Sequence, residues 1–322
     1  MIKTKITELL DIEHPIIGGT MMHLSRAEFV AAISEAGCLG IMASAIYRDK
    51  ESFRADIRKV RQLTDRPFGV NLNLFPAMRP IDNEEYISVI LDEGVKIVET
   101  SGHKAPEEFV ARLKKEGITV IHKCVGVRYA LKAERVGVDA VTVVGFENGG
   151  STGMLDITTL CLVPRVVDSV SIPVIGGGGV ADGRGLMAVL SLGAEGVIIG
   201  TRFLLTDECP LHTRIKDSLK KAEELDSRLV MRSIKNTHRV LNNKAAQMTY
   251  ELEQKGASLE EMMGIITGQN TLDMIENGNV DSGLLPCGQD IGLVTEIKPV
   301  KEVVEDIMRQ AIDVQRRMDS FF

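Results

Sequence analysis

The chain has 322 residues, a formal net charge of −7, and 44% hydrophobic against 26% charged residues. That mix belongs to a globular protein of one large or two modest domains, and an acidic balance without a basic cluster argues against a nucleic-acid partner. Its five cysteines are scattered without metal spacing, no apolar run reaches membrane-spanning length and no signal peptide is evident, so a reduced, cytoplasmic setting with no metal and no membrane partner is expected.

His14–Ile17 reads as a short buried strand ending in Gly18-Gly19-Thr20-Met21, after which Ser25 caps a helix to about Ala36. Leu39–Met42 is the next apolar run, Lys50–Leu63 a charged helical pattern, and Pro67–Asn73 a strand ending in amides. Helix Asn83–Glu93 leads to strand Lys96–Glu99, and helix Pro106–Lys115 to strand Thr119–Lys123. After helix Arg128–Val136 and strand Ala140–Val144 comes the polar, glycine-rich loop Gly145–Gly153, then a helix from about Thr158 to Val170.

The stretch Val174–Gly185 holds four consecutive glycines between an apolar lead-in and a helical pattern, which reads as strand, bare turn and helix start. Bare glycine N–H groups beside a helix N-terminus suit a phosphate. The following strand, Gly196–Ile199, ends at Gly200-Thr201, and two such ends side by side can share one phosphate. Gly176, Gly178 and Ala181 also fit the dinucleotide spacing G-x-G-x-x-A, but that fingerprint requires an acid at the tip of the next strand, and Glu195 precedes that strand.

Eight strand–helix units, with every polar or glycine-rich cluster at a strand's C-terminal end, predict an α/β fold, a (β/α)8 TIM barrel whose late loops grip phosphate. From Leu205 to about Gly283 the pattern reads as helices alone, at Leu211–Leu225, Asn236–Lys255 and Ser258–Ile266. The expected division is therefore a barrel of residues 1–204 and 284–322 carrying a small helical insertion, 205–283, after strand 8. Asp281–Asp290 is the returning loop, and a last amphipathic helix, Val300–Met318, closes the outer ring.

With these residues in place, the chain resembles the FMN-dependent nitronate monooxygenase family, formerly the 2-nitropropane dioxygenases, which includes NADH:quinone reductases and enoyl-thioester reductases. The likeness runs from about Ile12 to the C-terminus. It is carried by Arg66–Leu72, Val120–Cys124, Leu131–Arg135, Ala181–Gly185, Gly200–Phe203 and Met231–Thr237, blocks that it shares most with the NADH:quinone reductase branch. The resemblance implies that Gly19, Thr20 and Met21 lie along the isoalloxazine of FMN, with Asn71 and Lys123 at its polar edge and ribityl chain. Gly178, Gly179, Gly200 and Thr201 would hold the phosphate, and Gly150 and Gln289 complete the implied cofactor-binding set. Lys123 ends its strand and can point into the barrel mouth, where a cation stabilises an anionic reduced ring; strict alternation then makes His122 structural.

One departure matters for the chemistry. The family's A-G-G-H-x-G block stands here as Asn148–Gly153, with Ser151 in the histidine's place. A serine hydroxyl has no pKa near neutrality and is no general base unaided, though it can donate a hydrogen bond to a substrate oxygen. The candidate catalytic residues are accordingly Ser151, His23 over the first loop and Lys123, with Glu147 either a desolvated acid or a helix cap. The expected function is an FMN-dependent oxidoreductase passing hydride from NAD(P)H to a quinone or activated alkene, chemistry that needs no side-chain base. The alternatives are a nitronate monooxygenase, whose substrate is already deprotonated, and a flavin-binding sensor without catalysis. The expected partner is a small-molecule substrate, with a homo-oligomer left open.

Overall fold

The computed structural model describes residues 2–74, 82–102 and 105–322. Its strands are β1 (Ile16–Gly18), β2 (Gly40–Ala43), β3 (Phe68–Asn73), β4 (Ile97–Ser101), β5 (Thr119–Cys124), β6 (Ala140–Val144), β7 (Gly150–Ser151), β8 (Val174–Gly177), β9 (Gly196–Ile199), β10 (Ser227–Val230) and β11 (His238–Leu241). By packing, the described chain divides into two compact units.

The first unit, residues 1–144, 160–177 and 186–198, holds the barrel. Eight strands run in the order β1-β9-β8-β6-β5-β4-β3-β2. Parallel pairing of Ile17 with Leu39 joins the two ends, with Gly18 N–H donating to the Leu39 carbonyl at 2.9 Å. The strands are Val- and Ile-rich because both faces are covered, one by barrel interior and one by helices. Ile17, Ile41, Ile97, Ile121, Ile175 and Ile198 belong to one buried cluster. Each such side chain contributes roughly 1.5–3 kcal/mol on burial. Since side chains alternate along a strand, Ile97 fixes Glu99 and Ser101 on the inner face of β4, and Ile121 does the same for Lys123 on β5. The expected TIM barrel is thus the observed one.

The second unit comprises residues 145–159, 178–185 and 199–322, and so takes in residues 284–322, which the sequence reading assigned to the barrel. It contains the helices Thr213–Leu219, Lys244–Gln254, Leu259–Ile266, Gly268–Asn277 and Val300–Asp319. Reading residues 205–283 as helices alone misses a three-stranded antiparallel sheet in the order β10-β11-β7. The expected helix from Asn236 is instead β11 followed by a helix that begins after Asn243, whose side chain caps Ala246 N–H. Four-residue strands of mixed polarity carry too little alternation to stand out from helical periodicity. Val230, Val240, Ala246 and Leu284 form this unit's own core.

Candidate functional site

In the barrel unit, the ends of β3, β4 and β5 converge on one carboxylate that the sequence reading passed over. Glu99 has a fully buried side chain, and its Oε2 accepts from Asn71 Nδ2 at 2.6 Å, Thr20 Oγ1 at 2.8 Å and Lys123 Nζ at 3.2 Å. Ser101 Oγ joins through Asn71. The Lys123–Glu99 ion pair explains how a lysine tolerates the barrel interior: its side chain is 21% exposed and its charge is matched. All three donors use one oxygen, however. Glu99 Oε1 is buried without a hydrogen-bond partner among the described residues, an acceptor suited to a donor from a bound molecule. An acid ending an otherwise apolar strand, Lys96–Glu99, was the available signal.

The other candidate residues of this unit occupy distinct places. His122 is 1% exposed, faces the helix layer, and its Nδ1 lies 2.9 Å from Thr100 Oγ1. Burial, partly offset by the Glu99 charge, lowers its pKa to about 4, so it is neutral at physiological pH. Gly19, Thr20 and Met21 are half-buried in the loop after β1. His23, also half-buried, takes a left-handed backbone with φ 67°, and its carbonyl accepts from Arg26 Nε.

In the second unit, the expected phosphate-binding residues are glycines and Thr201. Gly178 and Gly179 have φ of 99° and 78°, conformations that L side chains avoid. A Cβ on Gly178 would lie 2.8 Å from Thr159 Oγ1, whereas one on Gly200 would meet nothing within 4 Å. Gly200 therefore has an open face beside its peptide. The two earlier glycines of the run belong to the barrel unit and serve packing, since Cβ atoms there would strike Val189 and Ile198 at 2.5 and 2.3 Å. The expected bare helix start is partly taken: Asp182 Oδ1 accepts from the N–H groups of Arg184 and Gly185.

Thr201 ties the returning loop. Its Oγ1 accepts from Gly288 N–H at 2.9 Å and donates to Asp290, while Gln289 N–H donates to the Glu147 carbonyl at 3.0 Å. Burial raises the Asp290 carboxyl to about 6, opposed by the Thr201 hydroxyl and reinforced by the Glu147 charge. Gln289 itself is half-buried.

The loop after β6 is built from its own hydrogen bonds. The Glu147 carboxylate accepts from Thr159 N–H at 2.9 Å and from Thr159 Oγ1 at 3.0 Å, which makes it a helix cap. Asn148 Nδ2 donates to the carbonyls of Gly149 and Ser151, and Asn148 Oδ1 is buried without a partner among the described residues. Gly150 has φ 78°, and Ser151 pairs antiparallel with His238 of β11. Arg239, 4% exposed, stacks on Phe146 at 4.6 Å and donates twice to its carbonyl.

A closed parallel barrel with polar strand ends and a glycine turn after its seventh strand is the framework of a flavin-dependent oxidoreductase. The chain belongs to the nitronate monooxygenase family, whose profile it matches over residues 3–87 and 78–310. It is 34% identical to the (3aS,4S,5R,7aS)-5-hydroxy-7a-methyl-1-oxo-octahydro-1H-indene-4-carboxyl-CoA dehydrogenase of Rhodococcus jostii, over 99% of this chain and 98% of that protein. A probable nitronate monooxygenase of Staphylococcus saprophyticus is 27% identical over 98% and 99% of the two chains. The solved structure of FabK from Thermotoga maritima is 35% identical, covers both chains fully and superposes with a TM-score of 0.91.

The residues present fit a flavin. In the barrel unit Glu99 Oε1, without a partner among the described residues, suits a ring or ribityl donor; within the second unit the open face at Gly200 suits a phosphate. Among the described residues no cluster of His, Cys, Asp and Glu could hold a metal ion, and no helix is long and apolar enough to cross a membrane.

Proposed function

We propose that the protein is an FMN-dependent NAD(P)H oxidoreductase whose acceptor is an activated alkene, specifically an enoyl thioester, or a quinone. Bound flavin supplies the hydride chemistry, taking two electrons from the nicotinamide and passing them to the acceptor. The carrying observation is Ser151, a hydroxyl fixed in a β-ladder at the position where the family resemblance places a histidine. Unaided, such a hydroxyl can orient a substrate oxygen but is no general base for a carbon-bound proton. Lys123, held by Glu99, places a cation at the strand end, suited to the negative charge of a reduced ring. Gly19, Thr20 and Met21 lie along the ring and Asn71 joins Lys123 at its polar edge and ribityl chain; Gly178, Gly179, Gly200 and Thr201 serve the phosphate, with Gly150 and Gln289 as further contacts. The CoA thioester in the name of the Rhodococcus relative favours a thioester over a quinone.

The test is anaerobic mixing of the flavin-loaded protein with NADH or NADPH, then reoxidation by crotonyl-CoA, quinones and oxygen in turn. Rapid bleaching of the flavin and its recovery with crotonyl-CoA are expected; a flavin that stays oxidised with both nucleotides overturns the reading. A second reading, nitronate monooxygenase, is favoured by the Staphylococcus relative and by the fact that a nitronate arrives already deprotonated. It predicts oxygen uptake with propionate 3-nitronate that is indifferent to NADH.

A further inference from the structure

Replacing a proton-donating histidine by serine leaves the enoyl reading short of a proton source, since reducing a carbon–carbon double bond consumes one hydride and one proton. The sheet β10-β11-β7 supplies a candidate. β11 is its middle strand, held from both sides, and places His238 opposite Ser151 of β7. At the next pair along, Thr152 N–H donates to the Thr237 carbonyl at 3.2 Å. Antiparallel ladders alternate bonded and non-bonded pairs, so Ser151 and His238 form a non-bonded pair, in which Cα atoms approach to about 4.5 Å and side chains on the shared face lie closest.

The tautomer is set by a neighbour. His238 Nδ1 lies 2.8 Å from the Asn236 carbonyl, which can only accept, so Nδ1 carries a hydrogen and the ring exchanges protons at Nε2. The residues opposite His238 on its two flanking strands, Val230 and Ser151, are uncharged. The charged residues of these strands are Arg228, which donates to Asn242, and Arg239, which is turned to Phe146 and Ser227. Both residues are half-buried, so neither is sealed from solvent.

We propose that Ser151 and His238 form a cross-strand proton-delivery pair, in which the hydroxyl meets the substrate and the imidazole recharges it. The proposal rests on the enoyl-thioester reading above. As hydride arrives at the β-carbon, the Ser151 O–H bond breaks and its proton goes to the α-carbon. His238 Nε2–H then restores the hydroxyl, leaving a neutral ring that solvent reprotonates. NAD(P)H is oxidised, the double bond is reduced, and one solvent proton is consumed.

The kinetic test follows reoxidation of the NADH-reduced enzyme by crotonyl-CoA. His238→Gln and Ser151→Ala are each expected to slow it about 100-fold or more. Because the two act in series, the double variant should be little slower than either. His238→Gln should also remove an ionisation from the wild-type pH profile of that step, which a merely structural residue would leave in place. Additive losses, or an unchanged pH profile in His238→Gln, overturn the proposal.

A second measurement needs neither flavin nor substrate. In protein labelled with 13C-histidine, the His238 resonance, assigned by its loss in His238→Gln, should titrate with a different midpoint in Ser151→Ala. An unmoved midpoint overturns the pair. If wild-type enzyme is reduced by NADH yet never reoxidised by crotonyl-CoA, the acceptor reading fails instead, and the titration alone decides whether the two side chains are coupled.

Discussion

The two units carry their polar strand-end and loop atoms in opposite ways. At the barrel strand ends they are side-chain atoms collected around Glu99; in the second unit they are peptide groups along the left-handed Gly178 and Gly179 and at Gly200, whose face is open. Two glutamates make the contrast plain. Glu147 spends its carboxylate on Thr159, whereas Glu99 gathers three donors on one oxygen and leaves the other unsatisfied. Saturation is what a structural carboxylate shows, whereas a buried carboxylate oxygen with no partner among the described residues calls for an explanation, and a bound donor supplies one. A side-chain cluster can be tuned by single substitutions but is expensive to break, while a backbone cradle resists tuning and is sensitive to any added Cβ.

The largest expected effect follows from the barrel cluster. Lys123→Met leaves the buried Glu99 carboxylate without its cation, and breaking a buried pair in this way costs about 3–5 kcal/mol. Chemical denaturation should show that loss, and flavin affinity should fall with it. The double change Lys123→Met with Glu99→Leu, which removes both charges, should recover much of the stability but none of the flavin binding. If the double variant keeps its flavin, the cluster is structural and the contrast between the units disappears.

Acid and base sharpen the comparison, because the two units respond to pH with opposite sign. His122 has its folded pKa depressed from 6.5 to about 4, so its contribution is present above pH 6.5 and is lost as pH falls toward 4. Asp290 has its folded pKa raised from 3.8 to about 6, so the folded state holds the extra proton and stability falls as pH rises from about 4 through 6. Each shift of about two units corresponds to roughly 3 kcal/mol. His122→Gln should flatten the acid limb of a stability–pH curve, and Asp290→Asn should remove a loss on going from pH 5 to pH 8. Thermal melts across that range check both, and identical pH profiles in the two variants would remove either assignment.

The barrel was legible because its strands are apolar on both faces and its functional atoms sit at strand ends, where local pattern is enough. Glu99 escaped notice because its importance lies in three partners brought from β3, β5 and the β1 loop, contacts no single segment reveals. The roles within the glycine run were only half legible: composition shows four glycines, but the positive φ of Gly178 and Gly179 separates them from two that merely let Val189 and Ile198 close in. His238 was invisible as a partner of Ser151 for the same reason that β10 and β11 were missed. Pairing between strands far apart in sequence is set by tertiary packing, and four-residue strands carry little periodicity of their own.

The glycine cradle yields the smallest expected change in stability and the cleanest separation of ligand from fold. Gly178→Ala forces a φ of 99° on a residue with a Cβ that would sit 2.8 Å from Thr159 Oγ1 and 3.1 Å from Gly145 N, and should cost about 2 kcal/mol. Gly200 has φ −111° and an open face, so Gly200→Ala should change stability by less than about 0.5 kcal/mol. Its methyl group would nevertheless fill the space offered to a phosphate. Flavin titration of the two variants should therefore show weakened FMN binding in Gly200→Ala despite an unchanged melting temperature, and unchanged binding there would move the phosphate away from Gly200. The same variant should bind riboflavin as the wild type does, because riboflavin carries no phosphate for the added methyl group to displace.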